Sequence, residues 1–149
     1  HPEVSVDIVG WCDEDKYLES LKSAEAKGFA RYHGLQKDVH KFNAACCCAV
    51  LPSYHEGTAN VMLEASATAR PVITTRVAGC RETFDEDVTG FGCEAKSAKS
   101  LEDAIERFLA LPYEKRREMG LKAREKMERE YDRNIVVSAY MEEIGKIRH

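Results

Sequence analysis

Two glutamates, Glu56 and Glu64, flank a run of small residues in "HEGTANVMLEA", positions 55–65. Carboxylates so placed can exchange protons, bind a metal or accept hydrogen bonds from hydroxyl groups. A helical zinc protease needs His-Glu-x-x-His to set two imidazoles one turn apart, and the second position here is Ala59. A helix beginning near Thr58 or Ala59 puts the two acids roughly 10 Å apart, at 1.5 Å per residue, which is too far for one proton transfer. That span suits a ligand with a diphosphate in the middle and a polyol at each end, each polyol donating to one carboxylate. A nucleotide sugar has this layout.

The residues between the acids fit such a ligand. Ser53 to Thr58 must turn the chain from strand into helix, and Gly57 lets backbone approach a ligand closely. The first amides of the helix lack intrahelical partners and lie at its positive end, so they form a seat for phosphate that the small Thr58 and Ala59 leave open. A second reading stays open: Glu56 as a loop acid favoured by the helix dipole, and Glu64 as a solvent-facing helix residue. Val61, Met62, Leu63 and Ala65 surround Glu64, which leads one to expect a dedicated partner for its charge.

The elements that would position these residues alternate along the chain. Val4 to Val9 is a β-branched run closed by Gly10, and Tyr17, Leu18 and Leu21 fall at helical spacing between Glu14 and Ala26. A second strand is expected over Phe29 to His33, a short helix over Val39 to Ala45, and a fully buried central strand over Cys46 to Leu51. A helix follows from about Ala59 to Thr68. Pro71 to Thr75 reads as another buried strand, Cys80 to Phe84 as a short helix and Phe91 to Cys93 as a short strand.

Ser100-Leu101-Glu102-Asp103 has the form of a capping box opening a helix that Pro112 ends. A charged helix over Tyr113 to Glu130 and a last one with Val136, Tyr140, Ile144 and Ile147 on one face complete the chain. Repeated strand–helix units with buried, non-alternating strands predict an α/β fold: an open parallel sheet with helices on both faces. Such sheets bind ligands at the carboxyl ends of their strands, and "HEGTANVMLEA" leaves one of those ends.

Several functions are excluded by what the chain lacks. Gly10-Trp11-Cys12 does not supply the Gly-x-Gly-x-x-Gly of a dinucleotide fold, and neither a Gly-Lys-Ser/Thr triplet nor a Gly-x-Ser-x-Gly elbow occurs. A non-enzymatic, receiver-like binding module of flavodoxin type stays open as an alternative, suggested by Asp13, Glu14 and Asp15 after the first strand, although the central strand ends in Leu51-Pro52-Ser53 with no phospho-accepting aspartate.

The 149 residues are one domain's worth of chain, with a net charge of −4 and a pI near 5.8, which argues against a nucleic-acid partner. From Tyr113 to Asn134 there are eight Lys/Arg and six Asp/Glu, read as a solvated helix face. Neighbouring residues of a strand point to opposite faces, so Cys46-Cys47-Cys48 cannot converge on one metal. The six cysteines read as buried thiols of a reducing, cytoplasmic protein. No apolar run is long enough to cross a bilayer, so any membrane contact would be peripheral. The chain opens on His1-Pro2 and enters an apolar run at once, which reads as a longer protein that has been cut.

With these residues in hand, "LPSYHEGTANVMLEASATARPVITTRVAGCRETFDEDVTGFGCE", residues 51–94, resembles the donor-binding domain of family-four retaining glycosyltransferases, which have the two-domain GT-B fold. The two glutamates, the Pro-Val-Ile strand, the Ala-Gly-Cys-Arg-Glu loop and the Thr-Gly-Phe-Gly turn carry the resemblance, and "VDIVG" and "YHGLQKDV" extend it. It implies that Glu56 is catalytic, contacting the donor sugar near the reacting centre, and that Glu64 holds the ribose hydroxyls. It implies a diphosphate seat of Gly57 and the amides of Thr58, Ala59, Asn60 and Val61, and a base-contacting turn at Tyr32, Gly34 and Leu35.

No metal or other cofactor is implied. The substrate would be a nucleoside diphosphate sugar, with a UDP-sugar favoured, and the acceptor a glycan or lipid-linked glycan bound through an absent amino-terminal domain. Arg81-Glu82 in "VAGCRE" is most similar to members that build capsule, exopolysaccharide or lipid-linked glycans, galactosyltransferase-like enzymes among them, at the inner face of the membrane. An epimerase of nucleotide sugars shares the fold and stays open.

Two residues depart from the family pattern. Ala69 stands where glycine is usual, at a left-handed helix end that disfavours alanine by roughly 1 kcal/mol, and Ala78 stands where this subgroup often has proline. The basic diphosphate contacts and the first strand–helix unit would lie upstream of His1, so residues 1–149 alone are expected to lack turnover.

Overall fold

A computed structural model describes His1 and residues 3–147, which divide into two compact units at Phe42 and Asn43. In the first, β1 (Val6–Ile8) and β2 (Ala30–Tyr32) pair in parallel, and the crossover between them is α1 (Asp15–Ala26), which packs on β2. Asp7 and Arg31 face each other in register, and the guanidinium donates to both carboxylate oxygens at 2.9 and 3.1 Å. Hydrogen bonds from Arg31 and then His33 hold the Asp7 carboxyl below its ordinary range.

Helix α2 (His40–Ala45) spans the boundary between the units. The second unit continues with β3 (Ala49–Leu51), α3 (Asn60–Ala67), β4 (Val72–Thr75), a 3-10 turn (Arg81–Thr83), β5 (Gly90–Cys93), α4 (Ala98–Ala110), α5 (Tyr113–Glu130) and α6 (Arg133–Ile147). Its sheet is parallel in the order β3-β4-β5. The apolar residues of β4 alternate between two cores, as a strand's side chains must. Val72 packs with Met62, Ala65, Cys80 and Phe84 on the α3 face, and Ile73 with Phe91, Ala104, Phe108 and Met119 on the other. Each core is dry enough that truncating a large member to alanine costs about 2–5 kcal/mol. Thus the α/β class with parallel strands and helices on both faces is as expected, although the strands form two sheets.

Several local expectations are corrected. The strand ending at Leu51 is not a buried central strand: β4 holds the centre, while β3 lies at the edge with Val50 41% exposed. Burial depends on which strands pair, and an apolar run does not encode that. Helix α4 is capped three residues earlier than its Ser100 motif suggests, because Ser97 has the extended backbone of a cap and accepts the Ser100 amide at 3.1 Å. Ser100 Oγ instead accepts the Glu94 amide at 2.9 Å.

Cys80 and Cys93 are buried as expected, but Cys47 is exposed and Cys12, Cys46 and Cys48 are half-buried. The solvated face read into α5 omits Lys126, which is only 6% exposed and bonds Asp85 at 2.9 Å and Glu130 at 2.8 Å. The apolar face of α6 is present but packs into no core among the described residues: Val136, Tyr140, Ile144 and Ile147 are all exposed. No helix among the described residues is long and apolar enough to cross a membrane.

Candidate functional site

The chain leaves β3 through Pro52 and Ser53, and helix α3 starts at Asn60 with Ala59 as its cap. Pro52 cannot extend the ladder, and the small Ala59 is only 2% exposed, so the helix start is pinned against the core. Glu56, half-buried, accepts a 2.7 Å hydrogen bond on Oε1 from the hydroxyl of Ser53.

Of the four amides expected to form the anion seat, two are engaged within the chain. Ala59 donates to the Gly79 carbonyl at 2.9 Å and Asn60 to the Thr58 carbonyl at 2.9 Å. The amides of Gly57, Thr58 and Val61 have no partner among the described residues, so the open donors are these three. Glu64 lies on the exposed side of α3, whose buried side chains are Met62, Ala65 and Ser66. The protein partner expected for its charge does not occur among the described residues: its position on the helix turns it away from Met62 and Ala65 and sets it on the solvent side with Val61.

The loop after β4 buttresses this loop. Gly79 adopts φ +81°, and a Cβ there would fall on the Glu56 carbonyl oxygen and 2.7 Å from that of Gly57. Only glycine admits so close an approach. The Glu82 carboxylate accepts the Gly79 amide at 2.8 Å, and Tyr131 at the end of α5 donates its hydroxyl to the Glu82 carbonyl at 2.9 Å. Its own amide, then the Arg81 guanidinium, hold the Glu82 carboxyl below the ordinary range. By contrast a Cβ on Gly57 would meet nothing within 4 Å.

Ala69 sits at φ 57°, just past α3, with the Ala69 amide on the Ser66 carbonyl and the Arg70 amide on the Ala65 carbonyl. These two bonds define a left-handed C-cap. Gly120 of α5 approaches the same corner: a Cβ there would strike the Ala69 carbonyl.

Glu56, Gly57, Thr58, Ala59, Asn60, Val61 and Glu64 thus share one strand–loop–helix of the second unit. Tyr32, Gly34 and Leu35 belong to the first unit, where they form the turn after β2. There the Tyr32 hydroxyl donates to the Gly10 carbonyl at 2.9 Å, Gly10 donates its amide to the Gly34 carbonyl at 3.0 Å, Gly34 takes φ 62° and Leu35 is 70% exposed. A cavity of about 500 Å³ in this unit is lined by Tyr32, Gly10 and Trp11, with Tyr17 and Ser20 of α1. Sequence reasoning missed Ser53, Gly79 and Glu82, whose roles come from contacts between loops more than twenty positions apart or, for Ser53, from a hydroxyl with no distinctive spacing.

Comparison with known proteins assigns the chain to a family. The family model "Glycosyl transferases group 1" matches residues 1–126. Over 134 residues the chain is 31% identical to N,N'-diacetylbacillosaminyl-diphospho-undecaprenol alpha-1,3-N-acetylgalactosaminyltransferase of Campylobacter jejuni, covering 90% of this chain and 35% of that protein. It is 33% identical over 87 residues to the capsular polysaccharide biosynthesis glycosyltransferase CapM of Staphylococcus aureus, covering 58% of this chain and 23% of that one.

Anabaena HepE in complex with UDP superposes with a TM-score of 0.86 at 20% identity, over 98% of this chain and 42% of the other, and the same protein is known with UDP-glucose. The chain therefore spans well under half the length of these relatives. Its fold neighbours are GT-B glycosyltransferases. With a family model matched over most of its length and a relative of 31% identity, this chain belongs to the group 1 glycosyl transferases.

Proposed function

We propose that residues 1–149 are the carboxy-terminal donor-binding domain of a retaining hexosyltransferase that moves a sugar from a nucleoside diphosphate sugar to a glycan or lipid-linked acceptor. The observation that carries the reading is the pair of carboxylates on either side of open amides at the carboxyl end of a parallel sheet. Glu56 accepts hydrogen bonds from the donor sugar and orients it as the anomeric bond opens. The amides of Gly57, Thr58 and Val61 take the negative charge that develops on the departing diphosphate, aided by the positive end of α3. Asn60 and Ala59 shape the seat, with their own amides directed elsewhere. Glu64, whose side chain has no partner among the described residues, accepts the ribose hydroxyls.

Retention follows from attack by the acceptor on the face from which the diphosphate departs. The UDP and UDP-glucose complexes of HepE support a UDP-sugar as donor, and the capsule and undecaprenol-linked relatives support a cell-surface glycan as product. Backbone amides and basic side chains supply the charge stabilisation, with no metal. The first strand–helix unit, the basic diphosphate contacts and the acceptor domain are carried elsewhere in the polypeptide, which works in the cytoplasm against the inner face of the membrane through peripheral contact. Residues 1–149 alone do not turn over.

The test is calorimetric titration of the complete protein with UDP, GDP, ADP and their sugars. Binding of one nucleotide series is expected, and no binding at millimolar concentration refutes the reading. Glu64→Ala should weaken nucleotide binding by about 1.5–3 kcal/mol, the range for hydrogen bonds to a charged group. An unchanged Kd would remove Glu64 from the ribose site.

A further inference from the structure

The carboxylate of Glu56 is held by its neighbours before any ligand arrives. The ladder between β3 and β4 ends at the pair Leu51 and Thr74, after which the β3 chain turns away. Two adjacent threonines of β4 follow it with their side chains. Thr74 Oγ1 donates to the Leu51 carbonyl at 2.8 Å and Thr75 Oγ1 to the Ser53 carbonyl at 2.6 Å. Both threonines are at most 1% exposed, so their hydroxyls have no water to bond instead, and each bond is costly to break. Thr75 in effect extends the sheet by one side-chain hydrogen bond and fixes Ser53 as the chain leaves.

Ser53 then turns its own hydroxyl to Glu56 Oε1 at 2.7 Å. The backbone of Glu56 is fixed from the other side by Gly79, whose missing side chain admits the Glu56 carbonyl. Side chain and backbone of one residue are thus held by separate parts of the fold. One carboxylate oxygen is engaged and the other remains to accept from a ligand.

We propose that Ser53 is a positioning residue for Glu56, set in turn by Thr75, and that this relay presents the carboxylate to the donor sugar in a single rotamer. The inference rests on the donor-binding reading above. Glu64 has no comparable anchor, so the relay acts at the sugar end of the ligand and leaves the nucleotide end untouched. A serine that merely stabilised its turn would affect folding and both ends of the ligand together; a positioning serine affects turnover and spares nucleotide affinity.

The experiment compares Ser53→Ala, Ser53→Thr, Thr75→Val and Thr75→Ser with wild type in the complete protein. Three quantities are read: the UDP dissociation constant, the rate at which UDP-glucose, UDP-N-acetylglucosamine, GDP-mannose or ADP-glucose is hydrolysed, water taking the sugar in place of the acceptor and the nucleoside diphosphate leaving, and the thermal unfolding midpoint. Ser53→Ala should slow release at saturating donor by about tenfold to a hundredfold, as misplacement of a reacting group does, with the affinity for the free nucleotide unchanged. Ser53→Thr keeps the hydroxyl and should recover most of the rate. Thr75→Val should slow release in the same direction, and Thr75→Ser should not.

A Ser53→Ala rate equal to wild type overturns the inference. So does a Ser53→Thr rate as low as that of Ser53→Ala, or a parallel loss of rate and nucleotide affinity. If Ser53→Ala does not fold, the Thr75 pair decides, and equal rates in Thr75→Val and Thr75→Ser overturn the relay. Failure of wild type to bind any of the nucleotides strikes the donor-binding reading and the relay with it. Nucleotide binding together with an unaffected Ser53→Ala rate strikes the relay alone.

Discussion

Replacing Gly79 with alanine tests whether the loop after β4 is the strut of the candidate site. The perturbation is one methyl group at φ +81°, placed against the carbonyls of Glu56 and Gly57. The left-handed backbone costs an L-residue about 1–2 kcal/mol. The contact is the larger effect, because the obstructing atoms are backbone and cannot rotate away as a flexible side chain would. Overpacking of this kind costs about 1–3 kcal/mol, and the displaced Gly79 carbonyl loses its 2.9 Å bond from the Ala59 amide, worth about 1 kcal/mol.

These terms share one movement and do not add fully, so a loss of about 2–4 kcal/mol is expected in urea unfolding. Glu56 and the start of α3 move with the loop, so on the proposed reading nucleotide-sugar turnover by the complete protein should fall by about a hundredfold. Gly57→Ala is the control within the same loop, since a Cβ there meets nothing: its unfolding midpoint should stay at the wild-type value while donor binding weakens. If Gly79→Ala unfolds at the wild-type urea concentration and turns over donor normally, the loop after β4 does not hold the site.

Ala69→Gly should raise stability by about 1 kcal/mol, because the left-handed cap at φ 57° favours glycine; a neutral or destabilising result in urea unfolding would contradict the cap assignment. Acid should destabilise the surface of α5. Hydrogen bonds from Lys115 and Lys122 hold Glu118 at about 2, and those from Lys126 and Arg129 hold Glu130 below its ordinary value. Carboxyls depressed in the folded state contribute stability that is complete above the unfolded pKa of about 4.3 and lost as pH falls through the folded values. Stability should therefore drop between about pH 4.5 and 2, more steeply in wild type than in Glu118→Gln or Glu130→Gln, and less at high salt because the pairs are exposed. Among the thiols, iodoacetamide at neutral pH should label the exposed Cys47 before Cys48, whose pKa is pushed up to about 12 by burial first and then by Cys46 and Cys47; mass spectrometry reading the reverse order would refute the packing around β3.

The order of strands and helices was legible because it is written locally, in β-branched runs, helical periodicity and glycine or proline stops. Val72 to Thr75 and Tyr113 to Glu130 are examples, each within a residue of expectation. What the sequence did not disclose depends on pairing across the chain. The edge position of β3 follows from which strand lies beside it. Lys126 is buried with Glu130 one helical turn on and Asp85 forty-one positions away beside it, and helical periodicity reveals the first partner but not the second. The glutamate pair stood out by its spacing, whereas Gly79 acquires its part only when the loops after β3 and β4 meet, and Ser53 only through a hydroxyl turned to Glu56 and a carbonyl taken by Thr75.

That meeting makes the two carboxylates unequal. The residues around Glu56 are tied at several points: Ser53 grips its side chain, Gly79 sits on its backbone, and the Gly79 carbonyl takes the Ala59 amide at the helix start. Glu64 is held only by the helix that carries it, with its side chain exposed. On the proposed reading this asymmetry matches the two tasks. A group that orients a sugar while its anomeric bond opens loses most of its effect if it moves by an ångström, because the reacting geometry is narrow. A group that accepts hydrogen bonds from ribose hydroxyls contributes binding shared by ground state and transition state, and a side chain free to follow the ligand serves that purpose. On that reading Thr74, Thr75 and the left-handed Gly79 are placed where precision affects rate, and open backbone and an unrestrained carboxylate lie where the ligand itself completes the structure.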